Sequence, residues 1–408
     1  MNCRHCDSRL EHSFLDLGFA PPSNAYLSES DLVSPELYFP LKLKVCDNCW
    51  LVQTEDYASA EQLFATDYAY FSSTSSSWLE HARQYSSKMI DLLKLDSHSF
   101  VVEVAANDGY LLRNFVEAGI PCLGIEPTDS TASAAEELGI PIAREFFGED
   151  LARRLQAEGR QADLIAGNNV YAHVPDINGF TRGLKLALKS GGTITLEFPH
   201  LLQLIQMCQF DTVYHEHFSY LSLQTVSRIF TACELRIWDV EELPTHGGSL
   251  RVYGCHAVDP RENTEALASM LSTEQESGLA RLDPYLEFQL RADKVKNGLL
   301  EFLLQQKRKG KTVGAYGAAA KGNTLLNYAG VKPDLLAFVC DAAPSKQGKF
   351  LPGSHIPIYD PLELKMRKPD IVLVLPWNII GEVMEKHDYI AEWGGRFAVA
   401  IPEMRILE

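Results

Sequence analysis

Hydrophobic and polar positions along residues 100–126 predict one strand–helix–strand unit. Residues 100–105 (FVVEVA) are apolar and rich in β-branched side chains, which is typical of a short buried strand. The Asn-Asp-Gly sequence at 107–109 favours a tight turn, and apolar residues recur at helical spacing over 110–118. Residues 122–126 (CLGIE) then predict a second strand. We expect the crossover to be right-handed. In sheets of this class, ligands bind at the carboxyl ends of the strands, so we expect a ligand there.

The alternation of strand and helix continues after this unit. The pattern predicts a helix, a strand with a turn, a strand, a helix and a strand at 128–139, 140–147, 163–170, 176–192 and 193–199. A pair of glycines is expected to end the second of these helices. This order predicts a doubly wound α/β sheet. Two strand-like runs within 236–258, on either side of a His-Gly-Gly sequence, predict an antiparallel hairpin at its edge.

A second unit of the same kind follows a long, charged helical region at 262–308. Residues 311–330 (KTVGAYGAAAKGNTLLNYAG) restart strand, glycine turn and helix. Further strands are predicted at 335–341, 370–376 and 396–402. The glycines have the spacing of neither a dinucleotide fingerprint nor a P-loop. The start of the helix, with Lys321, suits a diphosphate, although close packing of helix on strand explains the small residues equally well.

Four of the nine cysteines form two pairs with metal-ligand spacing. Cys3 and Cys6 lie in CRHC, and Cys46 and Cys49 lie in CDNC, with strand-like runs between the pairs. Each CxxC turn brings two thiolates together, so the two pairs predict a tetrahedral four-sulfur zinc site. Such a site has no open coordination position, so we expect structural rather than catalytic zinc that stabilises residues 1 to about 60. The other five cysteines are scattered and are expected to be small buried hydrophobic residues.

Composition and charge exclude several classes of protein. The chain has 408 residues, 46% of them hydrophobic and 22% charged, which indicates a globular protein of two or three domains. Its net charge of −17 argues against a nucleic-acid or anionic-membrane binder, whose affinity comes from basic surface. The N-terminal MNCRHC is not an apolar signal segment and no run approaches transmembrane length, so we expect a cytoplasmic protein. The pattern is compatible with either a monomer or a dimer.

The turn after the first strand bears on the cofactor. The NAD fingerprint GxGxxG needs three glycines so that a pyrophosphate can approach a helix N-terminus, but this turn has Ala105, Asn107 and Gly109. S-adenosylmethionine has no phosphate, and its ribose hydroxyls suit a bidentate acceptor such as Glu126 at the end of the second strand. With Glu103 as another acid in the first strand, the turn favours S-adenosylmethionine over NAD. A turn without any ligand is the other alternative.

A run of serines with aromatic neighbours precedes the first long helix. The helix is expected to begin within Ser72–Ser77 and to continue through Trp78 and Met89, which leaves Tyr68 and Tyr70 on the preceding loop. A serine run is usually a solvated linker. The interleaved aromatic residues, however, suit a partly buried polar pocket.

The stretch FDTVYHEHFSYLS (210–222) carries the densest group of acid–base side chains. It follows the strand at 193–199, near the edge where the cofactor is expected. His215 and His217 are two apart, so they do not form HExxH; on an extended segment they could form a metal pair, but no third ligand is spaced to support it. A cluster of Tyr, Glu and His equally suits proton transfer. A hydrogen-bonded core patch is the structural alternative.

Several stretches together resemble the sugar C-methyltransferases of deoxysugar biosynthesis. They are CRHC with CDNC, YAYFSSTSSS, EVAANDGYLL, NNVYAHV, YHEHFSYLS, THGGSLRVY, GAYGAAAKGNTLLN and DAAPSKQGKFLPGSHIPI. The resemblance covers essentially the whole chain in the same order, which makes it far more specific than any single motif. It implies a class I S-adenosylmethionine-dependent methyltransferase domain at 63–262. This domain would lie between an N-terminal zinc-binding domain at 1–62 and a C-terminal Rossmann-like nucleotide-sugar-binding domain at 263–408.

The resemblance also implies roles for individual residues. The zinc ligands would be Cys3, Cys6, Cys46 and Cys49. The cofactor-binding residues would be Glu103, Ala105, Asn107, Asp108, Glu126, Phe147, Asn168 and Asn169. The catalytic residues would be His217, Glu216, Tyr214, Tyr68 and His173. The substrate-binding residues would be His246, Ser249, Arg251, Lys321 and Asn323.

The implied reaction is methylation of C3 of a TDP-linked 4-keto-6-deoxyhexose. The C4 ketone acidifies the C3 proton because the carbanion is delocalised as an enolate, so a base of near-neutral pKa can remove it. His217 is the expected base, with Glu216 orienting its neighbours and Tyr214 or His173 donating to the enolate oxygen. Two alternatives stay open. One is an O- or N-methyltransferase of a nucleotide sugar, which needs no ketone, and the other is a non-catalytic nucleotide-sugar-binding protein.

Overall fold

A computed structural model describes residues 1–55 and 71–407, and the strands of this part form three sheets. The strands are β1 (His12–Ala20), β2 (Phe39–Val45), β3 (Val52–Thr54), β4 (Val101–Val104), β5 (Cys122–Ile125), β6 (Ile142–Ala143), β7 (Ala162–Asn168), β8 (Leu188–Pro199), β9 (Ser219–Tyr220), β10 (Leu235–Leu243), β11 (Ser249–His256), β12 (Val313–Tyr316), β13 (Val339–Cys340), β14 (Ile358–Tyr359), β15 (Ile371–Val374), β16 (Arg396–Val399) and β17 (Arg405–Leu407). The helices are α1 (Ser76–Leu93), α2 (Arg113–Glu117), α3 (Asp129–Glu137), α4 (Glu149–Ala157), α5 (Ile177–Ala187), α6 (Leu201–Gln206), α7 (Leu223–Ala232), α8 (Glu265–Glu276), α9 (Asp283–Leu286), α10 (Phe288–Arg308), α11 (Ala320–Ala329), α12 (Leu362–Arg367) and α13 (Ile380–Lys386).

The central sheet has the strand order β6-β5-β4-β7-β8-β11-β10. Its pairs are parallel except those of β11, which runs antiparallel to both β8 and β10. Val101 of β4 packs in one hydrophobic cluster and Val102 and Val104 pack in another, so both faces of the sheet are covered. This topology confirms the predicted class I methyltransferase fold, including the edge hairpin expected within 236–258.

Two helices of the central unit are shorter than the sequence predicts. The helix expected at 110–118 is reduced to α2, because turns with positive φ at Asn107 and Gly109 occupy the chain before it. The helix expected over 176–192 ends with α5, and β8 begins at the next residue. The glycine pair lies within the start of β8, where the register shifts against β7 and Gly191 adopts a φ of +77°. The glycines therefore form a bulge instead of a helix stop.

The N-terminal sheet has the order β1-β2-β3-β9 and is antiparallel throughout. Its fourth strand, β9, comes from the middle of the chain. It closely follows Tyr214, Glu216 and His217, which together form the Tyr-Glu-His motif. The division of the chain at residues 62 and 262 stays a prediction, and β9 crosses it. The N-terminal unit and the strand that follows the predicted catalytic residues thus share one hydrogen-bonded sheet.

Residues 1–55 pack through hydrophobic side chains against both of the other units. On one side, the Phe14 ring stacks on Phe288 of α10, with the ring centroids 4.7 Å apart. On the other side, Leu10 and Leu51 belong to the same hydrophobic cluster as the central sheet. An N-terminal unit of this size buries too little surface to be stable alone, so these contacts and the metal site stabilise it together.

The C-terminal sheet has the order β14-β13-β12-β15-β16-β17, in which only β17 is antiparallel to its neighbour. This arrangement agrees with the second Rossmann-like unit predicted from the sequence. Strand β12 leads through a short loop into α11, whose first residues lie at the carboxyl edge of the sheet. Among the helices of the described residues, none has both the length and the apolar character needed to cross a membrane.

Candidate active site

A cavity of about 890 Å³ opens at the carboxyl edge of the central sheet. It is bounded by this sheet, by the loop after β1 and by the start of α11. The predicted site residues that line it are Ala105, Asn107, Glu126, Phe147, Asn168, Asn169, His173, Tyr214, Glu216, His217, His246 and Lys321. This volume is typical of ligand-binding cavities. The fold therefore brings residues from the predicted cofactor, catalytic and substrate sets into one space.

The turn between β4 and α2 forms one wall of the cavity. Asn107 and Gly109 have φ values of +50° and +77°, and a Cβ on Gly109 would lie 2.5 Å from Cδ1 of Ile140, so glycine is required there. Glu126, which follows β5, accepts hydrogen bonds from the amides of Asn107 at 3.0 Å and Thr128 at 2.9 Å, one on each oxygen. Each carboxylate oxygen keeps a second lone pair, which suits the two hydroxyls of a ribose.

Buried acidic and amide side chains surround the turn after β4. Glu103 and Asp108 are buried and do not line the cavity. Burial, together with the charges of Asp108 and Glu126, raises the pKa of Glu103 well above its usual range. Within the described residues, the Oδ1 atoms of Asp108, Asn168 and Asn169 have no hydrogen-bond partner. Asn168 and Asn169 line the cavity, and unpaired acceptors of this kind fit an ammonium group, so the wall matches the amino-acid and ribose parts of S-adenosylmethionine.

The Tyr-Glu-His motif lies across the cavity from this wall, after α6 and a short 3-10 turn. The amide of His217 donates to the carbonyl oxygen of Tyr214 at 3.0 Å, and the amide of Phe218 donates to that of Ala172 at 2.8 Å. The second bond joins the motif to the segment that carries His173. The ring centroids of Tyr214 and His173 lie 4.0 and 4.5 Å from that of His217. These three rings form one continuous part of the cavity wall.

The histidines of the cavity are kept neutral by burial. Burial lowers the pKa of His173 and of His246 to about 4, and it lowers that of His217 well below its usual range. His173 Nδ1 lies 2.9 Å from the carbonyl oxygen of Glu216 and must be the donor, because a carbonyl only accepts. A ring nitrogen of His217 is likewise bonded to the Thr212 carbonyl. In the neutral state, the other nitrogen of each ring therefore carries no proton.

Two lysines line the cavity near the start of α11. Lys321 Nζ donates to Asn378 Oδ1 at 2.7 Å and lies 5.0 Å from the centre of the Trp377 ring. Lys346 Nζ donates to the carbonyl oxygen of Ala318 at 3.0 Å. Burial lowers the pKa of Lys321, although the nearby charge of an aspartate opposes the shift. Two ammonium groups close to a helix N-terminus suit an anionic ligand.

Three predicted substrate residues do not reach the cavity. Asn323 is fully buried, and its Nδ2 donates to the Ser23 carbonyl at 2.7 Å. Arg251 is also buried, with Nη2 at 2.6 Å from a carboxylate oxygen of Glu197. Ser249 Oγ donates to a backbone carbonyl of the preceding turn at 2.9 Å. These side chains make hydrogen bonds inside the protein and do not line the cavity, so the structure gives no support to their predicted contact with a ligand there, which stays a prediction.

Arg251 and Glu197 instead support the turn that presents His246. Glu197 is fully buried, and its other oxygen accepts a hydrogen bond from Thr245 Oγ1 at 2.9 Å. Burial alone would raise its pKa, but the hydrogen bond from His81 and the charge of Arg251 lower it to about 2. His246 follows Thr245 with a φ of +54° and lines the cavity. The Arg251–Glu197 ion pair thus stabilises the turn at Thr245 and His246 from the protein interior.

His215 is placed differently from the other acid–base residues of its segment. His215 Nε2 lies 3.3 Å from the Phe39 carbonyl oxygen, and its ring does not line the cavity, whereas that of His217 does. This arrangement does not fit the metal pair considered from the sequence. Tyr68 lies outside the described residues.

The sequence analysis missed Asn24, Tyr220 and Lys346, which also line the cavity. Asn24 Nδ2 donates to both carboxylate oxygens of Glu216, at 3.0 and 3.2 Å. The Tyr220 hydroxyl accepts from the Tyr214 amide at 3.3 Å. Tyr220 and Lys346 lie within two of the stretches that carry the family resemblance, but their residue types alone did not mark them as cavity residues, and Asn24 lies in none of these stretches. The Pro-Pro-Ser-Asn turn after β1 is the nearest sequence signal for Asn24.

The four N-terminal cysteines converge as predicted. Their sulfur atoms lie within 4.8 Å of one another, with Cys3–Cys49 and Cys6–Cys46 both at 3.5 Å. Tetrahedral zinc with Zn–S bonds of ~2.3 Å separates its sulfur ligands by about 3.8 Å, so the cluster fits Zn²⁺ with little adjustment. Gln53 Nε2 donates to Cys3 Sγ at 3.2 Å. In the described ranges, no other group of three or more His, Cys, Asp or Glu side chains converges in this way.

Comparison with known proteins identifies the family. A curated relative, the C-methyltransferase NovU of Streptomyces niveus, is 33% identical over 405 residues, which cover 99% of this chain and 96% of the relative. The chain belongs to the C-methyltransferase family. Three family models match successive parts of this C-methyltransferase: a "putative zinc binding domain" at 3–64, a "methyltransferase domain" at 78–240 and a "C-methyltransferase C-terminal domain" at 244–402.

Solved methyltransferases resemble part of the chain at low identity. Magnesium protoporphyrin IX methyltransferase (ChlM) from Synechocystis, solved with bound SAH, is 12% identical with a TM-score of 0.35, over 43% of this chain and 82% of its own. A SAM-dependent methyltransferase from Anabaena variabilis is 14% identical with a TM-score of 0.35, over 44% and 85% of the two chains.

The C-methyltransferase takes its methyl group from S-adenosylmethionine and holds Zn²⁺ through its cysteine cluster. The acceptors around the β4 turn are the residues that would bind the methyl donor. The zinc site has four sulfur ligands and does not belong to the cavity, so its role is structural.

Replacing a zinc ligand should remove the metal and destabilise the protein. Cys46 is fully buried at the end of β2, so we expect Cys46→Ser to lose its zinc and to unfold at a lower temperature. Elemental analysis and thermal unfolding measure the two effects. Cys122→Ser, at a buried cysteine outside the cluster, is the matched control and should keep its zinc. A Cys46→Ser protein with the zinc content of the wild type would contradict the assignment.

The buried histidines should make the free energy of unfolding depend on pH. The pKa of His173 is about 4 in the folded protein, whereas an unfolded histidine titrates near 6.5. Between these values the unfolded state binds more protons, so stability falls as the pH falls. From about pH 6.5 to about pH 5.5, the wild type should lose roughly 1 kcal/mol more than His173→Asn.

Urea unfolding at the two pH values measures this difference. His98→Asn, which changes an exposed histidine that does not line the cavity, is the control and should keep the wild-type dependence on pH. Equal losses in His173→Asn and wild type would show that His173 does not stay neutral in the folded protein.

Proposed function

We propose that this C-methyltransferase methylates C3 of a TDP-linked 4-keto-6-deoxyhexose. The observation that supports this most is the juxtaposition of the cofactor wall, the rings of His217, Tyr214 and His173, and two lysines around one cavity. A methyl donor at the wall and a sugar beside the rings would share a space from which bulk water is largely excluded. Alignment of two reactants in this way can supply a large part of the rate enhancement.

We assign His217 as the base. The C–H electron pair at C3 moves toward the C4 ketone oxygen as the proton transfers to the unprotonated nitrogen of His217. Burial lowers the pKa of His217, so the ring is neutral and its free nitrogen can accept the proton at physiological pH, but it is a weaker base than the near-neutral group expected from the sequence. S-adenosylmethionine supplies the electrophilic methyl group that the C3 carbanion then takes.

We assign Tyr214 as the donor to the enolate oxygen. The sequence left Tyr214 and His173 as alternatives, and the hydrogen bond from His173 Nδ1 to the Glu216 carbonyl favours Tyr214. With its proton on Nδ1, neutral His173 can only accept at Nε2, whereas a phenol keeps a donor proton throughout the neutral range. His173 would then accept a hydrogen bond from the sugar or relay a proton.

The lysines at the start of α11 are the proposed site of the diphosphate. Lys321 and Lys346 both line the cavity, and a helix N-terminus adds backbone N–H groups to their charge. Residues 263–408 would in this way hold the nucleotide part of the substrate, while the central unit holds the methyl donor. Lys346 replaces Asn323 in this assignment, because Asn323 is buried away from the cavity.

Replacing the proposed base should abolish methyl transfer and leave cofactor binding intact. A general base contributes roughly 10²- to 10⁴-fold to the rate, so we expect His217→Asn to lower kcat by that factor. Turnover of a TDP-4-keto-6-deoxyhexose and calorimetric titration with S-adenosylhomocysteine measure the two properties. The neighbouring variant His215→Asn is the control and should keep most activity, because its ring does not line the cavity. Near-normal turnover by His217→Asn would remove the base assignment.

The wild-type enzyme should exchange the C3 proton of its substrate with deuterated water. Enolisation precedes methyl transfer in this mechanism, so S-adenosylhomocysteine can stand in for the methyl donor while exchange is followed by NMR. His217→Asn should not catalyse the exchange. Deuterium at C5 instead of C3 would move the methylation to the other side of the ketone, and no exchange at either carbon would argue against an enolate.

A further inference from the structure

The loop after β1 enters the cavity from the N-terminal unit. It comprises residues 21–27, and Asn24 within it lines the cavity. Asn24 Nδ2 lies 3.0 Å from Oε1 and 3.2 Å from Oε2 of Glu216, so one amide group donates to both oxygens of a buried carboxylate. Hydrogen bonds to charged acceptors are about twice as strong as those between neutral groups. Asn24 therefore strongly orients the Glu216 side chain.

The loop is itself fixed by the C-terminal unit. The Ser23 carbonyl accepts a hydrogen bond from Asn323 Nδ2 at 2.7 Å, and the Tyr26 hydroxyl donates to the Ala318 carbonyl at 2.6 Å. These contacts lie on either side of Asn24 in the sequence. A side chain on so constrained a loop has little freedom to follow Glu216 if Glu216 moves, so the loop determines where the carboxylate points.

The N-terminal unit makes a second contact just after His217. Strand β3 pairs with β9, which begins two residues after His217. Within this pair Gln53 lies opposite Ser219, and Gln53 Nε2 also donates to Cys3 Sγ at 3.2 Å. The zinc-binding unit therefore contacts the segment 214–220 on both sides of His217.

We propose that Asn24 is a positioning residue for methyl transfer, and that the zinc-binding unit thereby forms part of the active site. This inference rests on the proposed function. When the C3 proton moves to His217, the ring becomes a cation in a buried place, where its charge is costly. Glu216 adjoins His217 in the chain and both residues line the cavity, so a carboxylate oriented there would stabilise that cation. Loss of the two hydrogen bonds from Asn24 would weaken this orientation and reduce the stabilisation.

The first test is a kinetic comparison of Asn24→Ala with the wild type. We expect kcat to fall by roughly 10- to 100-fold, while the KM values for the nucleotide sugar and for S-adenosylmethionine change far less. Zinc content and cofactor binding should stay at wild-type values, which shows that the variant is folded. Ser28→Ala is the matched control from the adjoining segment, because Ser28 does not line the cavity and its side chain, in the part of the chain that the structure describes, bonds to Ser30 and Asp31. A fall in substrate affinity with unchanged kcat would overturn the positioning role.

The second test asks whether Asn24 acts through Glu216. We expect Asn24→Ala to lower kcat strongly in the wild type but to have little further effect in a Glu216→Ala background, because the carboxylate it orients is gone. A double variant whose losses are fully additive would overturn the proposal.

A third measurement uses the same four proteins and no substrate. The shifts in the midpoint of thermal unfolding should be non-additive between Asn24→Ala and Glu216→Ala, since the two side chains are in contact. Additive shifts would overturn the contact on which the proposal depends. If the wild type neither methylates the 4-keto sugar nor exchanges its C3 proton, the proposed function fails. The unfolding comparison still tests whether Asn24 and Glu216 interact, because it needs no substrate.

Discussion

Residues 213–220 receive hydrogen bonds from all three units of the fold. Thr324 of α11 donates to the first carbonyl of this segment, His173 of the central unit donates to the Glu216 carbonyl, and Asn24 of the N-terminal unit donates to the Glu216 side chain. Loss of the partner of a buried polar group costs roughly 1–3 kcal/mol. The segment to which we assign the acid–base chemistry therefore depends on the complete fold for its geometry. The zinc site, which lies in the sheet that extends to β9, stabilises one of the three contributors.

Charge is separated along the cavity in a chain that is acidic overall. At the cofactor wall, Glu126 and the amide oxygens of Asn168 and Asn169 suit the ribose and ammonium groups of S-adenosylmethionine. Near α11 lie Lys321 and Lys346, which suit the diphosphate of the proposed substrate. The histidines of the cavity are neutral, because burial lowers their pKa values. This arrangement would direct each ligand by charge and would leave the proposed base, His217, uncharged.

Much of the fold follows from patterns that are local in the sequence. The serine run predicts the start of α1, and Ser75 accepts a hydrogen bond from the Trp78 amide as its N-cap. The alternation of strands and helices predicts both parallel sheets, because it reflects burial that repeats within a few residues. The glycine pair after α5 misleads, because pairing with β7 draws these residues into β8 as a bulge. The hydrogen bonds between β7 and β8 outweigh the local tendency of the glycines to end a helix.

The sequence by itself determined the zinc-binding cysteines and many of the residues that line the cavity. Spacing alone predicts that the CxxC pairs act together, whereas the roles of the β4 turn and of Tyr214, Glu216 and His217 are what the family resemblance implies. Only the tertiary structure decided which side chains face the cavity. It turns Arg251 and Asn323 into the interior, and it brings Asn24 onto a carboxylate 192 residues away in the chain. Side-chain direction depends on hydrogen-bond partners distant in sequence, and no local pattern encodes them.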